Sequence, residues 1–270
     1  MSIITISRGS YSFGKEAAEK LAERLGYECL SREILLEASD QFGVPEIKLM
    51  NAIHDSFGFL DRFTHGKEKY IAYIRAALLT HLRKDNMVYH GLAGHFFLQK
   101  VPHVLKVRIM ADLDSRVEIV RERDGITHEQ ALHILKKDDE ARQKWSHELY
   151  GIDTQNPILY DMVLHIGRMS VDDAVEILYH TARQPFLQTT PASRRILDDL
   201  VLEAQIEAVL INEFPSIRAS ADNGDVSIYV KGPIDETQEI VARVESAIKP
   251  MAGVRTINVR VSAFTLDVKY

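Results

Sequence analysis

The chain has 270 residues, of which 46% are apolar and 27% charged, and Lys+Arg 33 against Asp+Glu 39 leaves a formal net charge of −6. That is the balance of an ordinary globular protein of one large or two smaller domains, not of a disordered or low-complexity chain. The acidic excess argues against non-specific nucleic-acid binding, which needs a basic surface, but leaves room for a local basic pocket that takes a phosphorylated small molecule.

The opening MSIITISRGS lacks an apolar core behind a basic stretch, so it does not read as a signal peptide. Ile3 to Ser7 is a short, nearly unbroken apolar run, the pattern of a strand covered on both faces in a parallel sheet. A glycine-bearing loop follows from Arg8 to Gly14, then Ala17, Ala18, Leu21, Ala22 and Leu25 at helical spacing, with Gly26 as the stop. Tyr27 to Leu30 is a short second strand. Cys29 within it is the sole cysteine, so the chain has no intrachain disulfide and no multi-cysteine zinc site, which fits a reducing, cytoplasmic setting. Ser31 is placed to cap a helix holding Ile34, Leu35, Leu36 and Ala38, and Pro45 to Asp85 reads as mostly helical. Met87 to Tyr89 and Val104 to Met110 are further strands, Asp114 to Arg123 and Thr127 to His147 charged helices, Met162 to Ile166 a fifth strand and Val171 to Ala182 its helix. Strands alternating with helices predict a parallel sheet with right-handed crossovers.

The prolines and polar cluster of QPFLQTTPAS, Gln184 to Ser193, predict a linker. Beyond it come a helix from Arg194 to Asn212, an Asn223-Gly224 turn, an alternating strand at Val226, Ile228 and Val230, a helix at Ile240 to Ile248, and a strand at Ile257, Val259 and Val261. The expected organisation is an α/β domain over residues 1–183, a linker over 184–193, and a small α+β (αββαβ) domain over 194–264. No run of about 18 apolar residues is present to span a membrane.

Gly9-Ser10-Tyr11-Ser12-Phe13-Gly14-Lys15 fits G-x-x-x-x-G-K between an apolar strand and a helix. Such a loop turns backbone N–H groups inward over a helix N-terminus, while the lysine reaches the outer phosphates of a nucleotide. Glu16 stands where a magnesium-binding hydroxyl is usual, so a magnesium ion on the bound phosphates would be held largely through water, with Asp112 and Asp114 as candidate carboxylates.

Several blocks together resemble the cytidylate-kinase-like branch of the P-loop nucleoside monophosphate kinases, over roughly residues 2 to 183. They are ITISRGSYSFGKEAAEKLAERLG, Leu30-Ser31-Arg32-Glu33-Ile34-Leu35, VYHGLAGHFFL, VRIMADLDSRVEIVRER, KKDDEARQKW and Tyr160-Asp161-Met162-Val163-Leu164. The resemblance implies a three-layer P-loop kinase fold on a five-stranded parallel sheet. It also implies ATP and Mg²⁺ as cofactors and phosphoryl transfer to a nucleoside monophosphate, CMP first. It assigns Lys15 and Arg142 to catalysis, the loop from Gly9 to Glu16 with Arg116 and Arg123 to the donor nucleotide, and Arg32 and Asp161 to the acceptor. Ser31, Leu92 and Ala93 stand where the family pattern has aspartate, arginine and glycine. Those departures keep a second reading open, a catalytically degenerate nucleotide sensor acting through the C-terminal unit. That unit resembles a BON domain, which implies ligand binding or self-association.

Overall fold

A computed structural model describes residues 2–31, 33–46, 48–49, 66–91 and 94–263 of the chain. The sheet is built from β1 (Ile3–Arg8), β2 (Glu28–Leu30), β3 (Met87–His90), β4 (Val104–Ala111) and β5 (Met162–Ile166). Its order is β2-β3-β1-β4-β5 and every neighbouring pair is parallel, as the alternation of strands and helices predicts. Strand β1 is central, and successive side chains enter opposite layers. Ile4 and Ile6 join Leu105, Val107 and Ile109 beneath α1 (Gly14–Leu25) and the helix Val171–Ala182. Ile3 joins Met87, Tyr89 and Val104 beneath α2 (Glu33–Phe42) and α3 (Gly66–Leu82). Burial on both faces accounts for the unbroken apolar run of β1.

A single turn, α4 (Gly94–Phe97), follows β3. Two charged helices follow β4, α5 (Leu113–Asp124) and α6 (His128–Tyr150), and α6 opens on a Thr127–Gln130 capping box. They close on a small core of Val117, Val120, Ala131 and Leu135. The last helix of this unit, Val171–Ala182, is α7.

The second unit has the predicted αββαβ order: α8 (Pro191–Leu210), β6 (Arg218–Asp222), β7 (Asp225–Lys231), α9 (Thr237–Ile248) and β8 (Thr256–Ser262). Helix α8 begins at Pro191, three residues before the start predicted from periodicity, because proline fits the first helical position and Thr190 and Ser193 cap each other. Asn223 and Gly224 both take positive φ, 52° and 82°, at the β6–β7 turn, as a two-residue hairpin requires.

Helix α8 serves as an extra strand for the edge of β6. Glu207 accepts the Ala219 N–H at 3.1 Å, Glu203 the Ala221 N–H at 3.0 Å, and Asp199 the Asn223 and Gly224 N–H groups at 2.8 and 3.2 Å. Four helical residues rise about 6 Å and two strand residues about 6.7 Å, so carboxylates every fourth position match every second N–H. The ladder closes an edge that would otherwise offer itself for pairing.

Helix α8 also packs along α3, and one apolar core runs from Leu78 and Leu82 through Leu197 and Val201 to Ile228 and Val244. Polar ties border it: Arg75 with Glu207 at 2.6 Å, Arg83 with Asp198 at 2.6 Å and Asn212 with the Tyr73 hydroxyl at 2.9 Å. Among the described residues no helix is long and apolar enough to cross a membrane.

Candidate functional site

In an open parallel sheet, ligands sit beyond the carboxyl ends of strands where the strand order reverses. Here that place lies beyond β1, β3 and β4. The chain leaves β1 at Arg8 and enters α1 at Gly14, and between them Tyr11 and Phe13 take left-handed φ values of 56° and 63° while Ser12 does not. Alternation of this kind turns successive N–H groups to one side and forms a concavity for an anion. No side chain caps α1, so the N–H groups of its first turn stay open to a ligand.

The two aromatic rings do not plug the concavity. Phe13 packs on the core beneath α1, and Tyr11 on the α5–α6 core, where Arg123 stacks 4.6 Å over its ring and donates to its hydroxyl. The Ser12 hydroxyl lies 3.0 Å from the Gly9 carbonyl and 3.2 Å from that of Ile109, tying the loop to the end of β4. Arg116 supports the loop from below: its Nε donates to the Ser10 carbonyl at 2.7 Å, and its Nη2 reaches both oxygens of Asp139 at 2.8 and 2.9 Å.

Two hollows adjoin at this loop. The outer one, about 650 Å³, is walled by Ser10 through Glu16 with Glu19, Ile119 and Asp138. The inner one, about 330 Å³, lies beyond β4 and is lined among others by Gly91, His95, Arg108 and Thr154. Arg8, Ser12 and Arg142 line both. Arg142 reaches from α6 to within 3.4 Å of the Arg8 carbonyl. Burial lowers the pKa of Arg142 against the pull of Asp138 and Asp139; burial and then the Arg142 charge lower that of Arg8. Among the described residues neither Arg8, Arg108 nor Arg142 has a carboxylate in ion-pair contact, and the Arg8 Nε is buried without a partner. Like charges confined together, with Asp138 and Asp139 nearby but not paired to them directly, favour an anion.

The loop thus brings together Gly9 through Glu16, with Arg142 above and Arg116 below. Lys15 lines the outer hollow but is 65% exposed, 3.6 Å from Glu19, and Glu16 pairs with Lys20 at 3.0 Å. Arg123 lies on the outer rim with Tyr11 and Asp124. Asp161 does not line either hollow; it accepts the Lys106 N–H at 2.8 Å and pairs with the Lys106 ammonium at 3.0 Å, fastening β5 to β4. Arg32, Leu92 and Ala93 lie outside the described residues. Burial pushes the Cys29 thiol up to about 11, so it is no nucleophile at neutral pH. Among the described residues no group of three or more His, Cys, Asp or Glu is gathered that could hold a metal ion.

Two arginines of the site escaped sequence reasoning. Arg8 sits one residue before the motif. Arg108 alternates with Val107 and Ile109 in β4, and a charged residue inside a central strand was the available signal.

Gly14 is required by close approach. A Cβ there would lie 2.6 Å from the Cβ of Arg8 and 2.9 Å from its Cδ. Gly14→Ala is therefore expected to push Arg8 from between the hollows. The result should be a fall of about tenfold or more in anion affinity, read by calorimetry, together with a lower unfolding midpoint, because the Arg8 Cβ is fixed by the backbone and β1 or α1 must shift to make room. Unchanged affinity would separate Arg8 from the site.

A parallel sheet of this order, with a phosphate-type loop between its first strand and helix and arginines above it, defines a P-loop kinase fold. The sequence profile of the Cytidylate kinase-like family matches residues 3–168, and the chain belongs to that family. A cytidylate kinase from Methanopyrus kandleri is 36% identical over 84 residues, 31% of this chain and 43% of that protein, so the match spans less than half of the relative. A cytidylate kinase from Ignicoccus hospitalis is 25% identical over 180 residues, 66% of this chain and 97% of that protein. The crystal structure of an uncharacterized protein from Eubacterium ventriosum shares the fold at 21% identity, with a TM-score of 0.51 over 67% of this chain and 98% of that one. The homology is thus to nucleotide kinases. The profile stops at residue 168 and does not reach the αββαβ unit.

Proposed function

We propose that the chain transfers a phosphoryl group from magnesium ATP to a small anionic acceptor, with CMP as the first candidate. The observation that carries this reading is that Arg8, Ser12 and Arg142 line both hollows. Phosphoryl transfer asks little covalent chemistry of a protein; it asks that donor and acceptor be aligned and that charge on the migrating group be met by fixed cations. In this reading the triphosphate lies in the outer hollow on the loop N–H groups and the first turn of α1. Its terminal phosphate faces Arg8 and Arg142. The acceptor occupies the inner hollow against Arg108. Lys15 swings from Glu19 onto the outer phosphates, a rotation its exposure allows. Closure of α6 would exclude water that otherwise hydrolyses the nucleotide. The family match lends the sensor reading no support.

The test is ADP formation by the full chain with ATP, Mg²⁺ and a panel of nucleoside monophosphates. ADP should form only with an acceptor, and Lys15→Ala should lower the rate about 10²-fold or more. ADP release that ignores the acceptor, or survives Lys15→Ala unchanged, would sink the proposal.

A further inference from the structure

Arg108 enters the inner hollow from β4, and the residue that steadies it stands outside the hollow. Tyr160, two residues before β5, is 8% exposed and lines neither hollow. Its backbone is fixed: its N–H donates to the Pro157 carbonyl at 3.0 Å, and that of Asp161 to the Lys106 carbonyl of β4 at 2.7 Å. Its ring lies 4.9 Å from that of His95 on α4 and 5.6 Å from the Arg108 guanidinium carbon. Four separate segments converge on its hydroxyl. The Thr154 carbonyl, in the turn after α6, is 2.9 Å away, Arg108 Nη1 3.2 Å, His95 Nε2 3.2 Å and Ser7 Oγ of β1 3.3 Å. One hydroxyl cannot serve all four at once, but the Arg108 contact has a fixed direction, because a guanidinium only donates. Arg108 Nη1 donates to the Thr154 carbonyl as well, so this nitrogen is clamped between Tyr160 and Thr154. The rest of the guanidinium is uncommitted. Nε and Nη2 have no hydrogen-bond partner among the described residues, and the half-buried side chain lines the inner hollow. A planar fork held at one nitrogen presents its other donors in one orientation.

We propose that Tyr160 is a positioning residue for the acceptor: its hydroxyl, with the Thr154 carbonyl, locks Arg108 so that Nε and Nη2 meet the anionic group of the molecule bound in the inner hollow. The inference rests on the transfer reading above in placing the acceptor there. A loose arginine must be ordered when the anion arrives, which weakens binding, whereas a clamped one has less freedom to lose. The donor triphosphate belongs to the outer hollow, which neither Tyr160 nor Arg108 lines, so ATP binding stays outside this effect. Tyr160 reaches the anion only through Arg108, so its part is to orient a charge rather than to touch the reacting atoms.

The experiment measures binding of CMP, UMP, AMP and ATP to the full chain by calorimetry, for wild type, Tyr160→Phe, Arg108→Ala and the double variant, with ADP formation followed in parallel. Phenylalanine keeps the ring beside His95 and Arg108 and removes the hydroxyl alone. Affinity for the tightest monophosphate should fall about tenfold in Tyr160→Phe, with ATP affinity within about twofold of wild type. In turnover the loss should fall on the acceptor KM, with kcat little altered. In the Arg108→Ala background the same change should cost less than about twofold, because the clamp then has nothing to hold. Unchanged monophosphate affinity in Tyr160→Phe overturns the inference. So does an equal loss of ATP, which would mark a structural role, and so does a full further loss on top of Arg108→Ala, which would mean that Tyr160 acts by another route. Failure of the wild type to bind any of the three monophosphates overturns it as well. Monophosphate binding that follows this pattern without acceptor-dependent ADP formation would instead sink the transfer reading and leave this one standing.

Discussion

Arg142→Ala is expected to lower acceptor-dependent ADP formation about 10³-fold while leaving the unfolding midpoint little changed. Both halves follow from one arrangement. Arg142 and Arg8 are held close at the junction of the two hollows, and burial, with Arg142's charge acting on Arg8, lowers both pKa values. In the free protein these cations repel each other while Asp138 and Asp139 attract Arg142, so removing Arg142 exchanges one effect for the other and leaves the fold little changed. In the complex they face the charge that spreads over the migrating phosphoryl group, where a preorganised donor in a water-poor site is worth on the order of 10²–10³ in rate and an arginine on phosphoryl oxygens about 10³–10⁵. By linkage, an anion that binds only the folded state raises the midpoint of the wild type, and this rise should shrink in the variant. The measurement pairs initial rates with thermal unfolding at graded ATP. A rate within threefold of wild type would remove Arg142 from the transfer step, and a collapse of the midpoint without ligand would make it a structural arginine instead.

The second large effect concerns the junction of the two units. Asp85 ends the turn after α3, is 3% exposed, and takes a left-handed φ of 61°. It pairs with Arg194 of α8 and accepts the Thr189 hydroxyl at 2.9 Å, and His103 lies 3.5 Å away. Burial pushes its carboxyl up, but His103, Thr189 and Arg194 outweigh burial and hold it below the ordinary carboxylate range. Asp85→Asn keeps the shape and tolerates the left-handed backbone but removes the charge. Breaking a buried pair by deleting one partner costs about 3–5 kcal/mol; with Arg194 still 29% exposed and partly hydrated, about 2–3 kcal/mol is expected. Because the folded pKa is depressed, the wild-type contribution is fully present above the unfolded value of about 4 and is lost as pH falls through the lower folded value. The gap between wild type and Asp85→Asn in denaturant unfolding should therefore be constant from neutral pH to about 5 and close in more acid solution. A gap that is absent at neutral pH, or that widens in acid, would refute this account. The double variant with Arg194→Gln should lose less than the sum of the single changes, since both disrupt one contact.

The strand, loop and helix at the start were legible because each has a local cause. Apolar residues on both faces of Ile3 to Ser7, two glycines spaced around the turn and helical periodicity from Ala17 to Leu25 are all short-range patterns. The αββαβ order of the second unit was legible for the same reason, down to the Asn223-Gly224 turn. The start of α8 was misplaced because Pro191 and the Thr190–Ser193 cap outweigh the apolar spacing on which the prediction relied. Arg116, given a nucleotide role by the resemblance, lines the inner hollow while its Nε and Nη2 hold Ser10 and Asp139, a partnership between α5, α6 and the loop that spacing along one helix does not disclose.

From its residues alone this protein declares an α/β domain with a phosphate-type loop, a parallel sheet and a small second unit, since periodicity and turn chemistry act over a few neighbouring positions. The meeting of Arg8, Arg108 and Arg142 and the seam that joins α8 to α3 were settled only in three dimensions. The first depends on β4 lying beside β1 with Ser7 opposite Arg108 and on α6 folding back to the end of β1, and the second on α8 packing along α3, all contacts between segments far apart in the chain.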